Sequence, residues 1–257
     1  MKTIVLTNQK GGVAKTTTAY ALAAGLRNKG YSVLIVDADP QSNLTYTAGR
    51  EENKENTLYE ALKGNCTVFE AMRNTNPIET AMSILSVGLA GTAADMELAS
   101  RTAREYMLKE ALEKVAGDYD FCVIDTAPTL GLLTLNALTA ADRVIIPMNL
   151  EVYSLQGMEQ LSGFIDNVRK YTNKDLRISG LLITKYNERQ NISKALKENV
   201  EKAAKVMDTR VFNAKIRESV AVKEAQLLRS DLYTEAPKAT ATLDYMAFVD
   251  EFLSMEG

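Results

Sequence analysis

Two lysines flank a pair of glycines in "NQKGGVAKTTTA", residues 8–19: Lys10 and Lys15 stand around Gly11 and Gly12, with Thr16 and Thr17 following. Glycines that allow a tight backbone path, a lysine and a hydroxyl at a helix start are the materials for holding phosphate oxygens. The strict loop spacing, Gly-x-x-x-x-Gly-Lys-Ser/Thr, asks for glycine where this chain has Gln9 and Ala14. Two more clusters supply carboxylates. "VLIVDADPQ" runs an apolar stretch into Asp37 and Asp39, and "FCVIDTAP" runs another into Asp125. An acidic residue at a strand end facing a phosphate loop can hold the waters around Mg2+. Aspartate before a turn is also ordinary capping chemistry, but three coincident strand ends are poorly explained that way. The Gly-x-Gly-x-x-Gly dinucleotide fingerprint is absent.

The elements that must position these groups are an alternation of strands and helices. "TIVLT", "SVLIVD", "SILSV", "FCVIDT", "RVIIPM" and "ISGLLIT" read as strands separated by segments long enough for crossover helices. Their lack of polar alternation predicts parallel strands covered on both faces. After the phosphate loop, Ala19, Leu22, Ala23 and Leu26 recur on one helical face, Lys29 falls in the last turn and Gly30 supplies a stop. Residues 49–77 read as a surface excursion containing a short helix from Leu58 to Lys63. Residues 93–116 read as one long helix, with Met96, Ala99, Ala103, Tyr106, Met107 and Ala111 on one side. The expected fold is α/β, a single domain over residues 1–257 with a mostly parallel twisted sheet and helices on both faces.

Composition narrows the chemistry. The chain has 257 residues, 46% of them apolar, enough for one substantial core. No apolar run is long enough to span a bilayer and no leader is evident, so a cytoplasmic protein is expected. Cys122 lies in an apolar run and reads as a buried structural thiol; with only one other cysteine, neither a disulfide framework nor a zinc site is suggested. Histidine is absent, which leaves carboxylates, lysine, tyrosine or water for any proton transfer. The net charge of −3 hides an asymmetry: residues 169–230 carry +8 and the rest −11. Such a split attracts polyanions, or else marks solvated helix faces.

"KGGVAKTT", "DADPQ" and "DTAP" in this order resemble the deviant Walker A ATPases, most closely the small ParA/Soj type. The resemblance spans nearly the whole chain and implies a P-loop NTPase fold that uses ATP and Mg2+. It implies that Gly11, Gly12, Val13 and Ala14 wrap the phosphates, Lys15 binds the β/γ oxygens and Thr17 adds a hydroxyl contact. Thr16 would ligate Mg2+, Asp125 would act through Mg2+-bound water, and Asp39 would orient the attacking water at the edge of the same shell. By the same resemblance Lys10 reaches across a nucleotide-sandwich homodimer to the partner's phosphates, which would explain the second lysine. Family members bind duplex DNA without sequence preference as the ATP dimer, work with a ParB-like centromere-binding protein and sit on the nucleoid.

In the basic window, Lys185, Arg189, Lys194, Lys197, Arg217 and Lys223 are the candidate DNA contacts. Two positions depart from the family. Ala14 replaces a frequent glycine and is sterically acceptable if its φ is negative. "IRESVAVKEAQ", residues 216–226, carries Arg217 in place of a proline and Glu218 in place of an arginine, so that arginine's contact does not carry over. Because the chain opens at its first strand, an N-terminal DNA-reading domain is not expected. The alternative is a MinD-like membrane-surface or other cargo-positioning ATPase. Against the membrane version, the tail "LDYMAFVDEFLSMEG" is acidic where anionic lipid asks for a basic amphipathic helix.

Overall fold

Strands that are apolar on both faces cannot leave either side of their sheet in water. In β2 (Val33–Ala38) the side chains of Val33 and Ile35 enter one core, while those of Leu34 and Val36 enter the other. The same alternation holds in β1 (Lys2–Leu6), β5 (Phe121–Thr126) and β6 (Arg143–Met148), where every apolar residue is buried. The result is a helix–sheet–helix sandwich. The computed structural model describes residues 1–50, 55–74, 81–150, 155–187 and 194–256.

The remaining strands are β3 (Arg73–Asn74), β4 (Met82–Ser86), β7 (Arg177–Tyr186) and β8 (Val211–Arg217). All eight lie in one sheet, ordered β3-β4-β2-β5-β1-β6-β7-β8; only β3 runs antiparallel to its neighbour. One face carries α3 (Leu58–Lys63), α4 (Val68–Ala71), α6 (Met107–Glu113), α7 (Leu132–Ala140), α8 (Leu155–Tyr171) and α9 (Lys194–Val206). The other carries α1 (Lys15–Asn28), α2 (Asn43–Thr47), α10 (Val220–Leu227), α11 (Leu232–Glu235) and α12 (Thr240–Glu256). The short α5 (Ala94–Glu97) caps a small cluster with Tyr59 and Val87. Among the described residues no helix is long and apolar enough to cross a membrane.

The predicted strands are all present, and Cys122 is fully buried. Two further strands were not anticipated. The edge strand β8 interrupts its apolar pattern with Asn213 and Lys215, and β3 has only two residues. The segment from 93 to 116 is not one helix. It contains α5, a left-handed residue at Ala103 with φ of 54°, a 3-10 turn at Arg104–Tyr106 and then α6. A distant side chain sets the break: buried Asn136 of α7 accepts from the Leu108 amide at 3.0 Å and donates to the Arg104 carbonyl at 2.8 Å. The segment expected as a surface excursion does contain a helix with the predicted bounds Leu58–Lys63, but it is no mere excursion. Leu58, Tyr59, Leu62, Val68 and Ala71 are buried, and Thr57 and Thr67 cap the two helices through their hydroxyls.

Helix α1 is buried around its whole middle because α11 and α12 cover the face turned away from the sheet. Gly25 is where they come closest: a Cβ there would lie 2.7 Å from both the Tyr233 hydroxyl and a Val249 methyl. That hydroxyl is itself fixed, donating to the Ala21 carbonyl at 2.9 Å. Gly25→Val should therefore destabilise the protein by about 1–3 kcal/mol through overpacking. At exposed Gly163 in α8 a Cβ meets nothing within 4 Å, so Gly163→Ala should stabilise by about 0.4–1 kcal/mol through the unfolded chain. Urea unfolding of the two variants checks the opposite signs.

Candidate phosphate-binding site

The site forms where β1, β2 and β5 deliver their carboxyl ends side by side, the edge at which open α/β sheets bind ligands. From β1 the chain enters the loop at Asn8, whose side-chain oxygen accepts from the Lys10 amide at 3.0 Å while its nitrogen donates to the Pro147 carbonyl at 2.8 Å. Gly12 then turns with φ of 73°, a conformation glycine takes without steric cost. Ala14 follows at φ of 62° and is the N-cap of α1. The negative φ that would make alanine comfortable is thus not adopted, and the left-handed turn costs about 1–2 kcal/mol in a residue with a Cβ. The first turn of α1 contains no acidic residue, so its free amides and positive dipole end remain available to an anion.

Behind the loop, the Thr184 hydroxyl at the end of β7 lies 3.0 Å from the Val13 carbonyl and 3.1 Å from that of Met148. Val13 itself is fully buried, so its backbone contributes to the loop while its side chain anchors it. Lys15 is buried, with its Nζ 3.5 Å from the Lys10 carbonyl oxygen. Burial holds its ammonium below the ordinary lysine range, opposed by the nearby Asp125 and Asp39 carboxylates.

The three aspartates have separate tasks. Asp37 is fully buried and accepts at Oδ2 from the Thr45 amide and hydroxyl, at 2.8 and 2.7 Å. It thereby ties α2 to the strand, and burial pushes its carboxyl up to about 6. Asp39 sits two residues on, at the cavity, and accepts at Oδ1 from the Gln41 amide at 2.9 Å. Asp125 accepts at Oδ2 from the Thr16 hydroxyl at 2.6 Å. Its other oxygen, Oδ1, is buried without a hydrogen-bond partner. Burial, with Asp37 alongside, pushes this carboxyl up to about 8. A hydroxyl and a carboxylate with an unmet oxygen at the phosphate loop form the hard oxygen donor set that Mg2+ prefers, and the residues present fit that ion.

Of the residues singled out from sequence, Gly11, Gly12, Ala14, Lys15, Thr16, Thr17 and Asp39 line one cavity of about 910 Å3. Asp125 lies directly behind Thr16. Lys10 is turned aside, its Nζ on Asn149 Oδ1 at 3.0 Å. Three of the candidate DNA contacts, Lys185, Arg217 and Lys223, line this same cavity. Arg217 is clamped there: its Nε and a terminal nitrogen reach Asp244 at 2.9 and 2.7 Å. Lys194 and Lys197 stand in the first turn of α9, and Arg189 lies outside the described residues.

Several contributors were not picked out from sequence. Thr184 braces the loop, Asn149 holds Lys10, and Gln226 of α10 donates to the Thr17 hydroxyl at 3.1 Å. Thr184 stands near the carboxyl end of β7 and Asn149 directly follows β6, positions that mark ligand-side residues once strand order is known. Gln226 carries no such signal.

Comparison with known proteins agrees with this geometry. The profile of the family described as AAA domain matches residues 1–178. The chain is 38% identical to the sporulation initiation inhibitor protein Soj of Bacillus subtilis over 251 residues, 97% of each chain. It is 36% identical to the chromosome partitioning protein ParA of Myxococcus xanthus over 254 residues, 98% of this chain and 88% of that one. Among solved structures, cobyrinic acid a,c-diamide synthase of Mycobacterium smegmatis with bound ADP and magnesium matches with a TM-score of 0.85 at 34% identity, covering 99% of this chain and 95% of that one. McdA of Cyanothece in complex with ATP matches with a TM-score of 0.85 at 25% identity, covering 99% and 96%. ATP and Mg2+ are therefore the cofactors of this chain, and it belongs to the Soj/ParA family of AAA-domain P-loop ATPases.

Proposed function

We propose that this protein is a DNA partition ATPase: ATP joins two copies into a nucleotide-sandwich dimer that binds duplex DNA without sequence preference, and hydrolysis separates them. The observation that carries this reading is the division between the two loop lysines. Lys15 is buried inside its own chain's cradle, whereas Lys10 leaves that cradle and rests on Asn149. A lysine on the loop but directed away from its own phosphate site suits a contact made to a second copy. Two triphosphates facing each other would draw its charge across the dimer, which makes dimerisation depend on nucleotide.

Within one subunit, the α1 amides and Lys15 bind and orient the β/γ-phosphates, and Thr17 adds a hydroxyl. When bound, Mg2+ neutralises charge developing on the transferred phosphoryl group. Thr16 and Asp125 hold its shell. Asp39, at the cavity and braced by the Gln41 amide, orients the attacking water, since no histidine exists to do so. Slow turnover and a ParB-like stimulating partner belong to the same reading, which the likeness to a chromosome partitioning protein supports. Nucleoid association follows from DNA binding. Lys185, Lys223, Lys194, Lys197 and Arg189 remain the proposed backbone contacts, while Arg217 spends its charge on Asp244.

Three outcomes are expected. Lys15→Ala should lose ATP binding in a titration, whereas Lys10→Ala should bind ATP but form no ATP-dependent dimer by light scattering; an unchanged dimer removes the cross-subunit role. Asp39→Ala should keep ATP and the dimer while steady-state hydrolysis drops by about a hundredfold or more. Turnover at the original rate would assign the water to another group. Finally, the ATP-bound protein should bind unrelated duplexes equally, and charge reversal at Arg189 with Lys194 should weaken all of them alike while sparing ATP binding. Affinity should fall steeply as salt rises. ATP-bound protein that ignores duplex DNA at low salt but pellets with anionic vesicles would replace partition with membrane positioning. ATP turnover that requires a small-molecule carboxylic acid and an amine donor would replace it with ligation.

A further inference from the structure

At the sheet edge opposite the phosphate loop, the strand register sets Arg143, the first residue of β6, directly beside Arg177, the first residue of β7. In-register neighbours on parallel strands project to the same face, and Ser179, two residues along β7, shares it. Like charges directly opposed across two strands are destabilising. Only one of these guanidinia is compensated. Arg143 Nε donates to Glu256 Oε1 at 2.6 Å, and Lys2 holds the other oxygen of that carboxylate. Arg177 is exposed and has no ion-pair partner among the described residues.

A third guanidinium arrives from the next strand. Arg210, just before β8, is exposed, donates through Nε to the Ser179 carbonyl at 3.4 Å and lies against the Phe212 ring, 5.6 Å from its centre. The three arginines line an open cavity of about 620 Å3 that the end of α12 also borders. Ser179 also lines it; the residue is 5% exposed, and its buried Oγ has no hydrogen-bond partner. A buried hydroxyl left unsatisfied is destabilising. Two carboxylates share the cavity, Asp208 and Glu256, but Glu256 is already bracketed by Arg143 and Lys2. The balance is positive.

Uncompensated arginines forced together and a buried donor with nothing to donate to share one remedy, a multivalent oxyanion. We propose that this cavity binds a phosphate group, with Arg177 and Arg210 as its charged ligands and the Ser179 hydroxyl as a third donor. Arg143 adds positive field while tied to Glu256. Guanidinium forks match phosphate oxygens in geometry as well as charge. The site is remote from the ATP cradle and does not rest on the partition reading. It also accounts for Arg177 and Arg210 in the basic stretch, which lie far from the proposed DNA contacts around the upper cavity. Two sources present this chemistry, a small phosphorylated molecule and the nucleic-acid backbone, and the test separates them.

Full-length protein, its ATP site saturated with a non-hydrolysable ATP analogue and Mg2+, is titrated with inorganic phosphate in a calorimeter and separately with a short duplex in low salt. One phosphate per chain should bind, and Arg177→Ala with Arg210→Ala should weaken it by about tenfold or more. Ser179→Ala should weaken it less, and Lys170→Ala, in the last turn of α8, not at all. In thermal melts, phosphate should raise Tm beyond chloride at matched ionic strength, and Arg177→Gln should lose that increment while its own phosphate-free Tm stays level or rises. Loss of phosphate binding with the duplex unaffected assigns a small phosphorylated ligand; loss of both assigns the nucleic-acid backbone. No phosphate uptake by the original protein up to about 10 mM, or uptake that the double variant leaves unchanged, overturns the proposal.

Discussion

Asp37 and Asp125 face each other in register across β2 and β5, in the middle of a sheet with no water on either side. Two carboxylates so placed cannot both be charged without compensation, and the surrounding structure answers that constraint. Thr45 gives Asp37 two hydrogen bonds and so fixes α2 next to the site. Thr16 and Lys15 approach Asp125 from the first turn of α1, so the loop is drawn over the strand ends. One Asp125 oxygen is still left without a partner. The fold accepts that cost at a position whose donors suit a cation, which is the usual relation between a functional site and local instability.

Much of this was legible in the residues because it depends on local pattern. The central strands announce themselves by unbroken apolar runs, and the aspartates that end them follow directly. The loop could be read despite Ala14, since the requirement is a left-handed turn and free amides rather than a particular glycine; alanine takes that turn here at a cost. What could not be read depends on residues far apart in sequence. The break between α5 and α6 is imposed by Asn136, whose contacts cross about thirty positions. Burial of Leu58 and Val68 needs knowledge of which helices lie above β4.

The basic stretch shows the same limit in charge rather than shape. Its excess of positive charge is plain in composition, but composition does not say which way a side chain faces. Lys185, Arg217 and Lys223 stand over the nucleotide cavity, and Arg217 is neutralised by Asp244. Arg177 and Arg210 lie at the other end of the sheet, because parallel strands place their first and last residues on opposite rims. A strand such as β7, entering at Arg177 and leaving at Lys185, delivers charge to both.

Helix α12 spans the distance between those rims. Tyr245 lines the upper cavity, where its hydroxyl meets Thr18 of α1 at 3.1 Å, and Ser254, Met255 and Glu256 line the lower one. At 1.5 Å per residue these points are about 14 Å apart along a single rigid rod. The rod is packed against α1 with no slack at Gly25 and pinned at its far end by Lys2 and Arg143. An axial displacement of α12 would therefore alter both cavities together, and any free energy linking their occupants through it must be equal when read from either end.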